Sequence, residues 1–177
     1  MIDAVAPGKQ LDPADKPAIR FATPNDVPAI VSITNAAFAV ETFLDGDRTD
    51  EEGVREMMRS GNFLVALESP ERIVASVYVE LRGEQGYFGM LAVDPRKQGR
   101  GIGRAMIEAA EIYFREQGCE ESEITVLSLR TELPPLYHKF GYAESGTREF
   151  RPARPLRPGI ECHIIVMTKA LAGTTGR

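Results

Sequence analysis

Three glycines lie within five positions in the segment RKQGRGIGRAM, which follows the apolar stretch LAVDP. Gly99, Gly101 and Gly103 permit backbone conformations with positive φ and allow a ligand to approach the main-chain N–H groups closely. An amphipathic pattern of helical period begins directly after them, so this loop is expected at a helix N-terminus. There the N–H groups lack partners within the helix and carry about half a positive charge. The stretch therefore predicts a binding site for a phosphate or pyrophosphate.

Basic side chains surround this loop, although the chain of 177 residues has a formal net charge of −5. The flanking cations are Arg96, Lys97, Arg100 and Arg104. The nucleotide pattern G-x-x-x-x-G-K-[ST] is absent, and the dinucleotide pattern G-x-G-x-x-G fails because Arg104 and Met106 stand where its last glycine is needed. The local reversal of charge still favours a ligand that carries phosphate.

The segment Q-x-x-G-x-G that begins at Gln98 resembles the acetyl-coenzyme A signature Q/R-x-x-G-x-G/A of the GCN5-related N-acetyltransferase (GNAT) family. A second segment, LYHKFGY, is similar to the family's L-Y-x-x-x-G-[FY] pattern, with Tyr137 and Gly141 at matching positions. The resemblance covers roughly residues 18–171 and is strongest over 87–143. Two motifs at the family's spacing make this more specific than the glycine loop alone.

The resemblance implies an α/β (α+β) fold with a mixed, mostly antiparallel central sheet and helices on both faces. The strands at 87–93 and 123–129 would run parallel and separate into a V. Acetyl-CoA would enter this V as co-substrate, and its pantetheine arm would pair with the backbone of Leu91, Ala92 and Val93. The backbone segment that would meet the pyrophosphate comprises Gln98, Gly99, Arg100, Gly101, Ile102 and Gly103.

The reaction that the resemblance implies is direct attack of a primary amine of a small molecule on the thioester. Tyr137 occupies the position of the family's general acid, and a phenol of pKa about 10 can protonate a leaving thiolate whose conjugate thiol has a pKa of about 8.5. A backbone N–H on the first strand of the V would stabilise the oxyanion. The alternative is a module that binds or senses acyl-CoA without catalysis. The retained Tyr137 argues against that alternative.

One departure from the family concerns the base that deprotonates the amine. Many relatives carry a glutamate two residues before the leucine that matches Leu91, and Gly89 stands at that position here. Glu41, Glu80 and His163 are the candidates that could serve through a water chain. An acceptor amine of low pKa would need no protein base, so both possibilities stay open.

A second departure is Arg130, which stands where many relatives place an asparagine that contacts the cofactor. An arginine there could meet phosphopantetheine or the acceptor, and its role is left open.

Two charged stretches bear on the acceptor. Residues 41–56 contain seven acids, in a region that borders the acceptor pocket in this fold. The stretch REFRPARPLRPG places arginines at every third position, in a region that lies near the acceptor or at a dimer contact. Opposed acidic and basic walls would suit an amino acid or a peptide end, whereas a solvated helix face is the simpler explanation of the acids. A homodimer is the assembly that the second stretch allows.

Hydrophobic periodicity predicts the elements that position these residues. Strict alternation over RIVASVYVELR predicts a strand. Its apolar face would comprise Ile73, Ala75, Val77, Val79 and Leu81. The other patterns predict the order β-α-α-β-β-β-α-β-α-β-β, with one helix over 103–117. The acetyltransferase domain is therefore expected at 18–171, between a flexible arm at 1–17 and a tail at 172–177.

Composition excludes several other classes of protein. The acidic net charge argues against nucleic-acid binding, and no apolar run approaches the about 18 residues of a membrane helix. Cys119 and Cys162 are too few for a disulfide framework, and the N-terminus lacks a signal pattern, so a cytoplasmic protein with reduced thiols is expected. His138 and His163 are the only histidines, and no spacing suggests a metal site.

Overall fold

The computed structural model describes residues 16–151 and 154–172. The strands are β1 (Ala18–Phe21), β2 (Asn62–Ser69), β3 (Arg72–Arg82), β4 (Gln85–Val93), β5 (Glu121–Leu127), β6 (Ala143–Glu149) and β7 (His163–Ala170). The helices are α1 (Val27–Phe38), α2 (Glu51–Ser60), α3 (Ile102–Glu116) and α4 (Leu133–Lys139). The predicted order of elements is confirmed.

The predicted terminal segments fall largely outside the described residues. Only the last two residues of the arm at 1–17 and the first residue of the tail at 172–177 are described. The boundaries of the acetyltransferase domain, 18–171, therefore stay a prediction.

The seven strands form one sheet in the order β1-β2-β3-β4-β5-β7-β6. Every neighbouring pair is antiparallel except β4 and β5, which are parallel because α3 crosses over between them. Helices α1 and α2 cover one face and α3 and α4 cover the other, each over its own apolar cluster. The mixed, mostly antiparallel sheet with helices on both faces is thus confirmed.

Strands β4 and β5 separate partway along their length. Their ladder pairs Gln85 through Phe88 with Glu121 through Ile124, and the paired stretch ends there. A bulge then redirects β4: its register with β3 shifts beyond Gly89, and Met90 has a φ of 51°. Beyond this point the β5-facing edge of β4 has free backbone groups. The V that the resemblance implies is therefore present.

Strand β3 differs from the prediction of a single apolar face. Every residue from Val74 to Val79 is buried, because β3 lies inside the sheet with helices packed on both sides. Leu81, predicted on the apolar face, is 41% exposed near the end of the strand. The alternating pattern thus predicted the strand correctly, but the prediction of a single buried face was wrong.

Helix α3 holds the glycine loop against the sheet. The side chains of Met106 and Phe114 are fully buried in the same cluster as Phe88 of β4. Gly86 leaves the room that Phe114 needs, since a Cβ there would lie 2.2 Å from the ring. Among the described residues, no helix combines the length and the apolar character needed to cross a membrane.

Candidate active site

The glycine loop connects the end of β4 to the start of α3. Asp94 begins it, and its carboxylate accepts a hydrogen bond of 3.0 Å from the backbone N–H of Arg96. Gly99 and Gly101 have φ of 74° and 81°, which side chains with a Cβ rarely adopt. Gly101 is the N-cap residue of α3 and has no side chain to cap it. The first N–H groups of α3 are therefore left for a ligand.

The cations around the loop are not equally available. Arg96 pairs with Asp94 at 2.9 Å, and Arg104 pairs with Glu108 at 2.9 Å. Lys97 also pairs with an acid, Glu68. Arg100 is exposed and forms no salt bridge with any residue in the described part of the chain. Of the four cations singled out in the sequence, Arg100 is thus the one free to meet a phosphate.

Beyond the bulge, β4 offers a ligand mainly its backbone. The side chains of Leu91, Ala92 and Val93 are all buried. The Gln98 side-chain amide donates to the carbonyl oxygen of Val93 at 3.3 Å, which ties the glycine loop to the end of the strand. Free backbone groups on β4 and free N–H groups on α3 therefore form one continuous binding edge.

A cavity lies where β4 and β5 separate. Its walls come from α1, the segment after α1, β4, β5, the segment after β5, and α4. Leu91 contributes from β4, Thr125 from β5 and Tyr137 from α4. The predicted general acid thus lies beside the strand predicted to hold the pantetheine arm.

Tyr137 sits in the middle of α4, a short helix with prolines in its first turn. Its side chain is 4% exposed and packs against the rings of Phe88 and Tyr142, with centroid separations of 6.3 Å and 6.0 Å. Burial raises the pKa of the Tyr137 phenol, and the positive charge of Arg130 opposes that rise. The phenol is therefore protonated at neutral pH and able to donate.

Gly89 leaves a space that Tyr87 fills. A Cβ at position 89 would lie 2.5 Å from the Tyr87 hydroxyl, which is 3.2 Å from the Thr125 hydroxyl across the V. A glutamate at 89 would therefore require Tyr87 to move. Tyr87 was not predicted from the sequence as a residue of the site. Its position two residues before Gly89, which places both on the same face of β4, could have indicated it.

None of the three candidate bases presents a free side chain to the cavity. Glu41 lines it, but its two carboxylate oxygens accept from Arg130 and Arg48. Glu80 lies outside the cavity wall and accepts from Arg82 at 2.8 Å. His163 is exposed at the first residue of β7, also outside the wall.

The two charged stretches reach the cavity at few points. Of the seven acids in 41–56, only Glu41 lines the cavity. The acids of α2 are exposed at the surface, where Glu51, for example, pairs with Arg55 at 2.8 Å. In the arginine-rich stretch, Arg148 pairs with the buried Glu123 at 2.8 Å. The acidic stretch and the arginine-rich stretch therefore do not form the opposed acidic and basic walls that would suit a zwitterion.

The sequence matches a family of acetyltransferases. A family model described as acetyltransferase (GNAT) domain matches residues 30–153, which is more than half of the chain. The chain belongs to the GNAT acetyltransferase family, and the prediction made from its two motifs is confirmed. Members of this family generally use acetyl-CoA as the acetyl donor.

Two curated relatives are both named mycothiol acetyltransferase. The protein of Propionibacterium freudenreichii subsp. shermanii is 27% identical over 142 residues, covering 75% of this chain and 45% of the relative. That of Saccharopolyspora erythraea is 24% identical over 131 residues, covering 72% and 43%. The chain thus spans less than half the length of these relatives.

Solved structures share the fold at low sequence identity. The ribosomal-protein-S18-alanine N-acetyltransferase of Escherichia coli superposes with a TM-score of 0.70 at 18% identity, covering 90% of this chain and 98% of that one. The ribosomal-protein-alanine N-acetyltransferase of Brucella melitensis gives 0.67 at 21% identity, covering 87% and 99%.

Proposed function

We propose that this chain is an acetyl-CoA-dependent N-acetyltransferase that modifies a primary amine of a small molecule. The observation that carries the proposal is the cavity in the V, where the Tyr137 hydroxyl group shares a wall with the free edge of β4. The glycine loop follows β4 in the chain and leads to the uncapped N-terminus of α3. An acyl donor with a pyrophosphate at one end and a thioester at the other would match this arrangement.

Acetyl-CoA would bind along the continuous edge of β4 and α3. Its pantetheine amides would pair with the backbone of residues 91–93, since their side chains are buried in the core. Its pyrophosphate would accept from the N–H groups of residues 98–103, at the positive end of the α3 dipole. Arg100 would add a charge-assisted hydrogen bond that contributes about 1.5–3 kcal/mol.

The transfer would proceed by direct attack. The neutral amine forms a C–N bond to the thioester carbon, and a backbone N–H of β4 stabilises the oxyanion. The C–S bond of the intermediate then breaks, and the sulfur takes a proton from the Tyr137 hydroxyl. The attacking nitrogen loses its extra proton to solvent, and solvent returns a proton to the Tyr137 phenolate. Burial raises the pKa of the phenol, but it also raises that of the thiol that enters the same cavity, so the proton transfer stays feasible.

The amine would reach the cavity already deprotonated. Deprotonating an amine of pKa about 10.4 at pH 7 costs roughly 4–5 kcal/mol. No carboxylate stands at Gly89 to supply this, and Glu41 is occupied by two guanidinium groups. Loss of the ammonium proton to solvent, or an acceptor of low pKa, accounts for a reaction without a dedicated base.

The test is turnover of acetyl-CoA with a panel of amines: amino acids, short peptides, polyamines, an aminoglycoside and an aminothiol. The aminothiol is included because two relatives are named for a thiol. Acetylated products are detected by mass spectrometry, and binding of CoA by calorimetry. We expect one class of amine to be acetylated. CoA binding without any acetylated product would instead favour the non-catalytic acyl-CoA-binding or sensing module, with which Gly89 is compatible.

A further inference from the structure

The charged side chains on the cavity wall carry an excess of positive charge. They are Glu41, Arg48 and Arg130. Glu41 is buried, and its carboxylate accepts from Arg130 Nη1 at 3.0 Å and from Arg48 Nη1 at 3.3 Å. One carboxylate is thus shared between two guanidinium groups, inside a protein that is acidic as a whole.

Arg130 is held rigidly and keeps unused donors. Its side chain is 5% exposed, and its Nε donates to Glu132 at 2.6 Å. Its Nη2 is buried and finds no hydrogen-bond partner among the described residues. A buried donor without a partner is destabilising, and more so when it is charged. Arg130 therefore pairs with both Glu41 and Glu132, holds Glu41 in position and still keeps one N–H group unused.

Arg48 is the arginine that a ligand in the cavity can reach. Its side chain is 25% exposed, and its guanidinium carbon lies 4.9 Å from the centroid of the Phe38 ring. Its Nε points at the thioether sulfur of Met90 at 3.4 Å, which is a weak acceptor. Among the described residues these two contacts use two of the five N–H donors of Arg48, and the other three stay available to a ligand.

A third arginine, Arg154, adds positive charge close to Arg48. The segment after α1 and the segment before β7 are joined by a bridge between Leu44 and Leu156, and this contact brings Arg154 close to Arg48. Nη2 of Arg154 is buried without a partner in the described part of the chain. Burial and the charge of Arg48 lower the pKa of Arg154, and the carboxylates of Glu41 and Asp47 offset only part of this effect. An anion at Arg48 would relieve this repulsion.

We propose that the acceptor amine carries a carboxylate and that Arg48 binds it, with Arg130 and Glu41 holding Arg48 in position. A planar guanidinium recognises a carboxylate through paired N–H···O bonds, a specificity that an amine without an anionic group cannot use. The acceptor class is therefore an amino acid or another amino carboxylate, rather than a polyamine or an aminoglycoside. This inference rests on the proposed function and deepens it.

The experiment compares L-alanine, L-leucine, L-phenylalanine and L-aspartate with their α-carboxamides, in wild type, Arg48→Gln and Arg55→Gln. Binding is measured by calorimetry in the presence of CoA, and acetylation by mass spectrometry. Arg55 is the matched control, since it is half-exposed on α2, pairs with Glu51 and lies outside the cavity wall. We expect wild type to bind at least one acid about 10- to 100-fold more tightly than its amide.

Arg48→Gln should abolish that preference by weakening the acid alone, Arg55→Gln should preserve it, and Arg48→Lys should restore part of it. Equal binding of every acid and its amide by wild type would overturn the inference, as would an Arg48→Gln protein that loses both ligands equally. Acetylation of amides as efficiently as acids would leave the proposed function intact and remove the carboxylate site. Selective binding of acids without acetylation of any amine would remove the catalytic function and retain the site.

Discussion

The chemistry proposed for this protein depends on one hydroxyl group. Tyr137→Phe removes that group and leaves the ring, which packs between Phe88 and Tyr142. We expect kcat to fall by roughly 10²–10⁴ while the affinity for acetyl-CoA hardly changes, because general acid catalysis acts on the transition state alone. Steady-state kinetics and calorimetry measure the two quantities.

Tyr142→Phe is the matched control for this substitution. Its hydroxyl is also buried, but it bonds to Ser122 at 2.8 Å and to Glu111 at 2.9 Å, outside the cavity wall. This variant should lose about 1–3 kcal/mol of stability and keep kcat within a few-fold of wild type. If both variants turned over alike, Tyr137 would be a packing residue and no acid.

The pH dependence of the reaction follows from the same side chain and from the lack of an unpaired carboxylate or a histidine among the described residues of the cavity wall. Burial raises the pKa of Tyr137, so the acid stays protonated as the pH rises and no alkaline loss of activity is expected up to about pH 10. Below the pKa of the acceptor amine, kcat/KM should rise about tenfold per pH unit. Two acceptors of different amine pKa should show midpoints that differ accordingly. A common midpoint near pH 6–7 would instead identify a protein base, with about that pKa.

At the scale of elements, the loop before α3 tests the binding of the cofactor. Gly101→Val places a branched side chain where the backbone would meet phosphate, and should weaken acetyl-CoA binding by about 30- to 150-fold, or 2–3 kcal/mol. The substitution also strains the backbone, since Gly101 has a φ of 81°. Calorimetry on the folded variant gives the affinity, and denaturant unfolding gives the strain.

Gly118 at the other end of α3 separates these two effects. It has a φ of 80°, and nothing lies within 4 Å of a Cβ placed there. Gly118→Val should therefore lose comparable stability without any change in acetyl-CoA affinity. Equal affinity in the two variants would show that the glycine loop does not hold the cofactor.

At the scale of the whole molecule, buried tyrosines link stability to pH. Burial raises the pKa of Tyr78 to about 12 and raises those of Tyr137 and Tyr142 as well. The unfolded chain releases these protons near pH 10, whereas the folded chain retains them. The stabilisation is thus complete below about pH 10 and is lost as the pH rises through the folded values.

We expect the free energy of unfolding to fall above about pH 10, by up to about 1.4 kcal/mol per pH unit for each of these tyrosines. Denaturant unfolding between about pH 8 and pH 11 measures the slope. Tyr142→Phe should make it shallower by the share of one tyrosine. A slope unchanged in that variant would contradict the assignment of the alkaline loss to the buried phenols.

Local patterns in the sequence determined the elements and the family. Alternation marked β3, and the glycines marked the turn into α3, because side-chain period and backbone freedom are properties of neighbouring residues. Gln98, Gly101, Gly103 and Tyr137 could therefore be recognised as residues of the two family motifs. For the same reason the role of the acids at 41–56 could not be decided, since a run of charge does not reveal which side chain turns inward.

Only the tertiary structure decided which charged groups meet at the cavity. Arg130 meets Glu41 across 89 positions of sequence, and Arg48 and Arg154 lie on two segments that are joined by the bridge between Leu44 and Leu156 and by backbone hydrogen bonds on either side of it. Burial on both faces of β3 likewise depends on where that strand stands in the sheet. Such contacts follow from how the sheet and helices pack, and no short-range pattern encodes them. The sequence by itself thus determined the elements and the family and predicted a donor site and its acid, while the arginines around Glu41 became visible only when distant segments were brought together.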